Sequence, residues 1–84
     1  MDRQSTLARV SEIVAALFNV PLEQVTEESS SKSLQRWDSL GHLMLVLELE
    51  QQFDVQFTPE QVESMTRVDK IVEVLLSHPA ASGL

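Results

Sequence analysis

Residues 36–50 read RWDSLGHLMLVLELE, and no other stretch restricts the fold as much. On a helix turning 100° per residue, His42, Leu45, Val46, Leu49 and Phe53 share about one third of the circumference, the width of a core-facing stripe. Leu40, Leu43, Met44 and Leu47 fall on the other side at the same i, i+3, i+4, i+7 spacing. An amphipathic surface helix needs one such stripe, and this one carries two. Either it is central to a bundle, or one face serves something else. The pattern predicts a helix over Ser39–Phe53, with Asp38 as the N-cap whose carboxylate accepts an early backbone N–H and complements the helix dipole.

Three further helices follow from periodicity and capping. From about Gln4 to Phe18, the residues Leu7, Val10, Ile13, Val14, Leu17 and Phe18 recur at threes and fours. This helix is expected to stop near Asn19, because Pro21 disfavours helical geometry at Val20. Thr58-Pro59-Glu60-Gln61 combines a capping box with proline at the first helical position, and predicts a short helix ending near Met65. Thr66-Arg67-Val68-Asp69 then opens a last helix through about Ser77, with Val68, Ile71, Val72 and Leu75 inward. Residues 20–37 read as a long loop pinned by Leu22, Val25, Leu34 and Trp37. Connections of this length in compact domains are commonly functional or disordered. No alternating segment longer than DVQF exists, so the expectation is an all-α four-helix bundle of three longer helices and one short one. Its expected core is Leu7, Val10, Val14, Leu17, Val46, Leu49, Phe53, Val68, Ile71 and Leu75. Residues 1–78 read as one domain, with 79–84 as a disordered tail.

A chain of 84 residues buries roughly 60% of its unfolded surface, enough for a single core. It has no cysteine, so packing alone must stabilise it, and it supplies no thiol of its own. Thirteen acids against six bases give a net charge of -7, which excludes phosphate backbones and anionic lipid as natural partners and favours basic ones. MDRQSTLARV lacks the apolar core of a signal peptide, and no window approaches the roughly 18 apolar residues of a membrane helix. A cytoplasmic monomer that binds neither nucleic acid nor membrane is the expectation.

Asp38, Ser39 and His42 invite a catalytic reading that their geometry defeats. His42 lies one turn after Ser39, but Asp38 directly precedes the serine and is badly placed to orient the far ring nitrogen. His42 also falls on the core stripe, which makes it a partly buried packing residue. Glu48, Glu50 and Asp54 have no histidine or cysteine at ligand spacing, so no metal site is expected. Ser39 has two readings. A first-turn serine commonly satisfies a free amide with its hydroxyl. Alternatively, a phosphate ester attached there would rest beside free N–H groups and the positive end of the dipole. The outward stripe is likewise either covered by the long loop or a partner contact.

Taken together, the helix, the long loop, WDSLGHL with its EQQF end, the short FTPEQ helix and TRVDKIVEVL resemble the acyl carrier protein family, which includes peptidyl carrier domains. The resemblance spans about residues 4–78. It implies that Ser39 is esterified by 4'-phosphopantetheine from coenzyme A through a separate magnesium-dependent phosphopantetheinyl transferase that recognises Asp38 as well. It implies a carrier rather than an enzyme, holding acyl, aminoacyl or polyketide groups as thioesters on the arm. Leu40, Met44, Leu47 and Glu48 are then the expected contacts for acyl-loading and acyl-using enzymes.

Carriers of primary fatty-acid synthesis have a more acidic second helix, with an acid soon after DSL. Gly41, His42 and Met44 occupy that region here, so a dedicated polyketide, nonribosomal peptide or specialised lipid pathway is expected. The alternatives are a housekeeping fatty-acid carrier and an unmodified helical interaction module whose outward leucines bind a partner helix.

Overall fold

Asp2 opens the first helix. Its carboxylate accepts the Ser5 amide at 2.7 Å, and α1 runs Arg3–Phe18 in the computed structural model, which describes residues 2–77. That amide holds the Asp2 carboxyl below its ordinary value of 3.8. The cap is therefore fully present above that pH and is lost as pH falls through the lower folded-state value. α1 stops at Asn19, which turns into the left-handed region (φ 57°) and donates its amide to the Ala15 carbonyl. Left-handed closure at asparagine is a common helix end, and it acts one residue before the proline effect expected at Val20.

The second helix, α2, spans Ser39–Phe53 as expected, with Asp38 Oδ1 accepting the Gly41 amide at 2.8 Å. The third, α3, spans Pro59–Ser64 behind the full capping box: Thr58 Oγ1 accepts the Gln61 amide at 3.1 Å and Gln61 Oε1 accepts the Thr58 amide at 3.0 Å. The fourth, α4, spans Val68–Ser77. α1 packs against α4 and α2, and α3 lies on α4. Among the described residues there is no strand, only an isolated antiparallel bridge between Ser30 and Arg67. The expected tail at 79–84 lies outside the described residues.

The core contains Val10, Val14, Val46, Leu49, Phe53, Val68, Ile71 and Leu75 as expected, joined by Phe18, Leu45, Met65 and Val72. Burial of each such side chain contributes on the order of 1.5–3 kcal/mol, which explains why the threes-and-fours pattern predicts the fold so well. Leu7 and Leu17 are corrections: they are half-buried and pack against the rim of the core.

The loop is held more tightly than its composition suggests. Val25, Leu34 and Trp37 are buried, whereas Leu22, in a 3-10 turn over Leu22–Gln24 that lies against α1, is half-exposed. The loop also caps α4. Val68 donates its amide to the Ser29 carbonyl at 3.0 Å, and Asp69 donates to Glu27 at 2.9 Å. Thr66 is thus not the cap expected from sequence; the first free amides of α4 are satisfied by backbone about 40 residues away. An exposed Arg3–Glu27 ion pair at 2.6 Å adds little to this.

α2 ends at Asp54, also left-handed (φ 54°), which places an acidic side chain at the negative end of the helix dipole. Asp54→Asn keeps a residue tolerant of this conformation and removes the charge. It is expected to stabilise the fold by ~0.3–1 kcal/mol at low salt, less as salt rises. Thermal melts of the two proteins at two ionic strengths check the sign; a lowered melting temperature would contradict it.

Candidate functional site

Ser39 is the first residue of α2 and is exposed. Asp38 Oδ1 already takes the Gly41 amide, and the His42 amide donates to the Asp38 carbonyl at 2.7 Å. The amides of Ser39 and Leu40 belong to the first turn, where no preceding helical carbonyl can accept them. Among the described residues the Ser39 hydroxyl engages no partner. An open hydroxyl, unused amides and the positive end of a four-turn helix therefore converge on one point, a combination suited to an esterified phosphate. Beside it lies a shallow cleft of about 460 Å³ lined by Ser31, Gln35, Trp37, Asp38, Ser39, His42 and Thr66.

His42 takes no part in a triad. The Trp37 indole N–H, which can only donate, is 3.0 Å from His42 Nδ1, so that nitrogen is the acceptor. The proton of the neutral ring is then on Nε2, which donates to the Val62 carbonyl at 2.8 Å. Both ring nitrogens are engaged, and Asp38 is committed to a backbone amide. Half-burial of His42 agrees with its place on the core stripe.

Trp37 joins the two sides of the site. It is 2% exposed, stacked on Phe18 (centroids 5.5 Å, 27° between planes) and on His42 (6.2 Å, 17°). Gly41 makes this possible. A Cβ there would fall on the Arg36 carbonyl oxygen and lie 3.0 Å from Phe18 Cε1. The absence of a side chain at 41 lets the 36–38 turn press against the helix. Sequence reasoning marked Gly41 as a departure from an acidic pattern and missed its steric role. The signal was a tryptophan two residues before the serine with a histidine three after it.

The outward stripe is uncovered. Leu40 is 67% exposed, Leu43 54%, Met44 47% and Leu47 55%, so the loop does not bury it. Four adjacent exposed apolar residues on a small domain are the signature of an interface. Glu48 points elsewhere. It is half-buried, its carboxylate accepts from Gln52 Nε2 at 2.9 Å, and it lines a groove against α1 with Arg9, Glu12, Ile13, Ala16, Leu17 and Gln52. Glu50 is structural too, accepting the Phe57 amide at 3.0 Å to hold the turn after α2. Among the described residues, no helix is long and apolar enough to cross a membrane.

The family model of the phosphopantetheine attachment site matches residues 8–75. An acyl carrier protein of Rubrobacter xylanophilus is 33% identical over 81 residues, covering 96% of this chain and 100% of the relative. An acyl carrier protein of Saccharopolyspora erythraea is 30% identical over 76 residues, covering 90% of this chain and 80% of the relative.

Proposed function

The chain belongs to the acyl carrier proteins with a phosphopantetheine attachment site, whose prosthetic group is a covalent 4'-phosphopantetheine, and from this we propose that Ser39 is the attachment residue. The observation that carries the assignment is the unengaged, exposed Ser39 hydroxyl at the first position of α2. Ser39 Oγ attacks the β-phosphorus of coenzyme A on a magnesium-dependent transferase. A new P–Oγ ester bond forms, the anhydride P–O bond breaks, adenosine 3',5'-bisphosphate leaves, and the serine proton passes to a base on the transferase. His42 is not that base, because both its ring nitrogens are engaged. Asp38 fixes the start of the helix and keeps the hydroxyl uncapped, and the first-turn amides and dipole favour the phosphodiester. Once bound, the group supplies the thiol that carries acyl cargo as a thioester.

A chain without cysteine makes the test simple. Unfolded protein titrated for thiol is expected to change from none to one per chain after incubation with coenzyme A, magnesium and a broad-specificity transferase. A chain that gains no thiol is the unmodified interaction module instead.

The finer reading is a carrier in a dedicated polyketide, nonribosomal peptide or specialised lipid pathway, recognised by acyl-loading and acyl-using enzymes through Leu40, Met44 and Leu47, with Glu48, one turn after Met44, at the edge that faces α1. The crowding around Gly41 supports it: in the region where primary carriers have an acid soon after DSL, position 41 leaves no room for a side chain here. The net charge of -7 raises the encounter rate with a basic partner and weakens with salt, whereas apolar contact sets the residence time. A buried methionine contributes on the order of 1.5–3 kcal/mol and an exposed ion pair no more than about 1 kcal/mol. Met44→Glu is therefore expected to impair turnover of the loaded carrier by its partner enzyme more than Glu48→Gln does. The comparison is made at low and moderate salt with folding checked by circular dichroism. Greater damage from Glu48→Gln at both salt levels would assign recognition to charge.

A further inference from the structure

The Phe18–Trp37–His42 stack has a polar component that packing alone does not require. Phenylalanine at 37 and 42 would bury similar area with no buried donor or acceptor to satisfy. Here the indole N–H of an almost fully buried tryptophan has its acceptor in His42 Nδ1, and the same ring reaches α3 through Nε2 and the Val62 carbonyl. Stacked rings slide at small cost, whereas two directional bonds at 3.0 and 2.8 Å fix the ring in one orientation. The residue so fixed, Trp37, is two positions before Ser39 and is one of the residues that line the cleft beside it.

We propose that His42 is a positioning residue for modification of Ser39: by tying Trp37 to α3 it holds the 37–39 turn so that the serine hydroxyl is presented in one geometry. The proposal rests on the assignment of Ser39 as the attachment residue. His42 touches neither coenzyme A nor the reacting phosphorus. It acts through Trp37, and its loss frees the turn while leaving the exposed stripe of α2 in place. The affected quantity is then the rate of the bound carrier, not its affinity, because a misplaced nucleophile lowers kcat while an intact recognition surface preserves KM.

Steady-state phosphopantetheinylation with one transferase tests this on four variants. His42→Phe keeps the stack and orphans the indole N–H; its kcat is expected to fall roughly tenfold with KM within about twofold. His42→Gln offers an acceptor to Trp37 and a donor to Val62, and is expected to recover kcat to within about threefold of the parent. Trp37→Phe removes the donor from the other side and should match His42→Phe. The Trp37→Phe/His42→Phe double variant should be no slower than either single one, because both break the same link. A merely structural contribution gives additive losses that follow the melting temperatures, and that result would overturn the proposal. So would a raised KM at unchanged kcat, which makes His42 a transferase contact. If His42→Phe does not fold, the recovery in His42→Gln and the loss in Trp37→Phe still decide. Failure of the parent chain to be modified at all refutes the Ser39 assignment instead, and is distinguishable from every outcome above.

Discussion

Replacing Ser39 with alanine is expected to abolish loading completely and leave the fold unchanged. The two effects separate because the hydroxyl contributes nothing to the cap. Asp38 holds the Gly41 amide, and Ser39 is only the first helical residue. Alanine is the better helix former, so the balance is a stability change within about 0.5 kcal/mol in either direction. For a domain of this size that corresponds to a shift of no more than about 4 °C in melting temperature. Circular dichroism melts and intact mass after incubation with transferase and coenzyme A read both effects on one sample. A large drop in stability would mean that the serine is structural after all, and a loaded alanine variant would move the attachment elsewhere.

Gly41→Ala has the largest expected effect on stability, and its sign separates two accounts. Were Gly41 an ordinary helical glycine, alanine would stabilise the helix by about 1 kcal/mol. The added Cβ instead meets a backbone carbonyl, Arg36 O, with the Phe18 ring behind it, and a backbone atom cannot yield as a flexible side chain does. Overpacking of this kind costs about 1–3 kcal/mol or more and outweighs the propensity gain. The 36–38 turn must move outward and carry Trp37 from between Phe18 and His42. A net loss of roughly 1–2 kcal/mol is expected, or roughly 5–15 °C in melting temperature. Because Trp37 is the only tryptophan, its emission should shift to the red in the same variant. A variant that melts higher with unchanged emission would contradict the close packing.

The parts of this molecule legible in the sequence are those decided by neighbours along the chain. Asp38, Thr58, Pro59 and Gln61 act within their own helix starts, and the α2 core stripe follows from spacing alone. What escaped detection depends on residues brought together by the fold. Thr66 looked like a cap, yet α4 begins against the Glu27 and Ser29 carbonyls of the loop. Leu22 looked like an anchor, yet the loop is anchored by Trp37, Leu34 and Val25. Glu48 is adjacent in sequence to the apolar stripe, but helical rotation turns it toward α1 and Gln52. The place of Ser39 at the first position of α2 was legible from its setting, a cap before it and two apolar stripes after it, whereas its proposed attachment role rests on the family resemblance. The His42 bridge was not legible, because its acceptor Val62 is 20 residues away on another helix.

Peptide mapping of the parent chain after incubation with coenzyme A, magnesium and a transferase places the adduct directly. Ser29, Ser30, Ser31 and Ser33, in the loop ahead of Ser39, are internal controls for the position of the adduct. A single phosphopantetheinyl group on the peptide containing Ser39, with the loop serines unmodified, is the expected result. A group on a loop serine, or a chain that stays unmodified while a control carrier is fully loaded, would contradict the account.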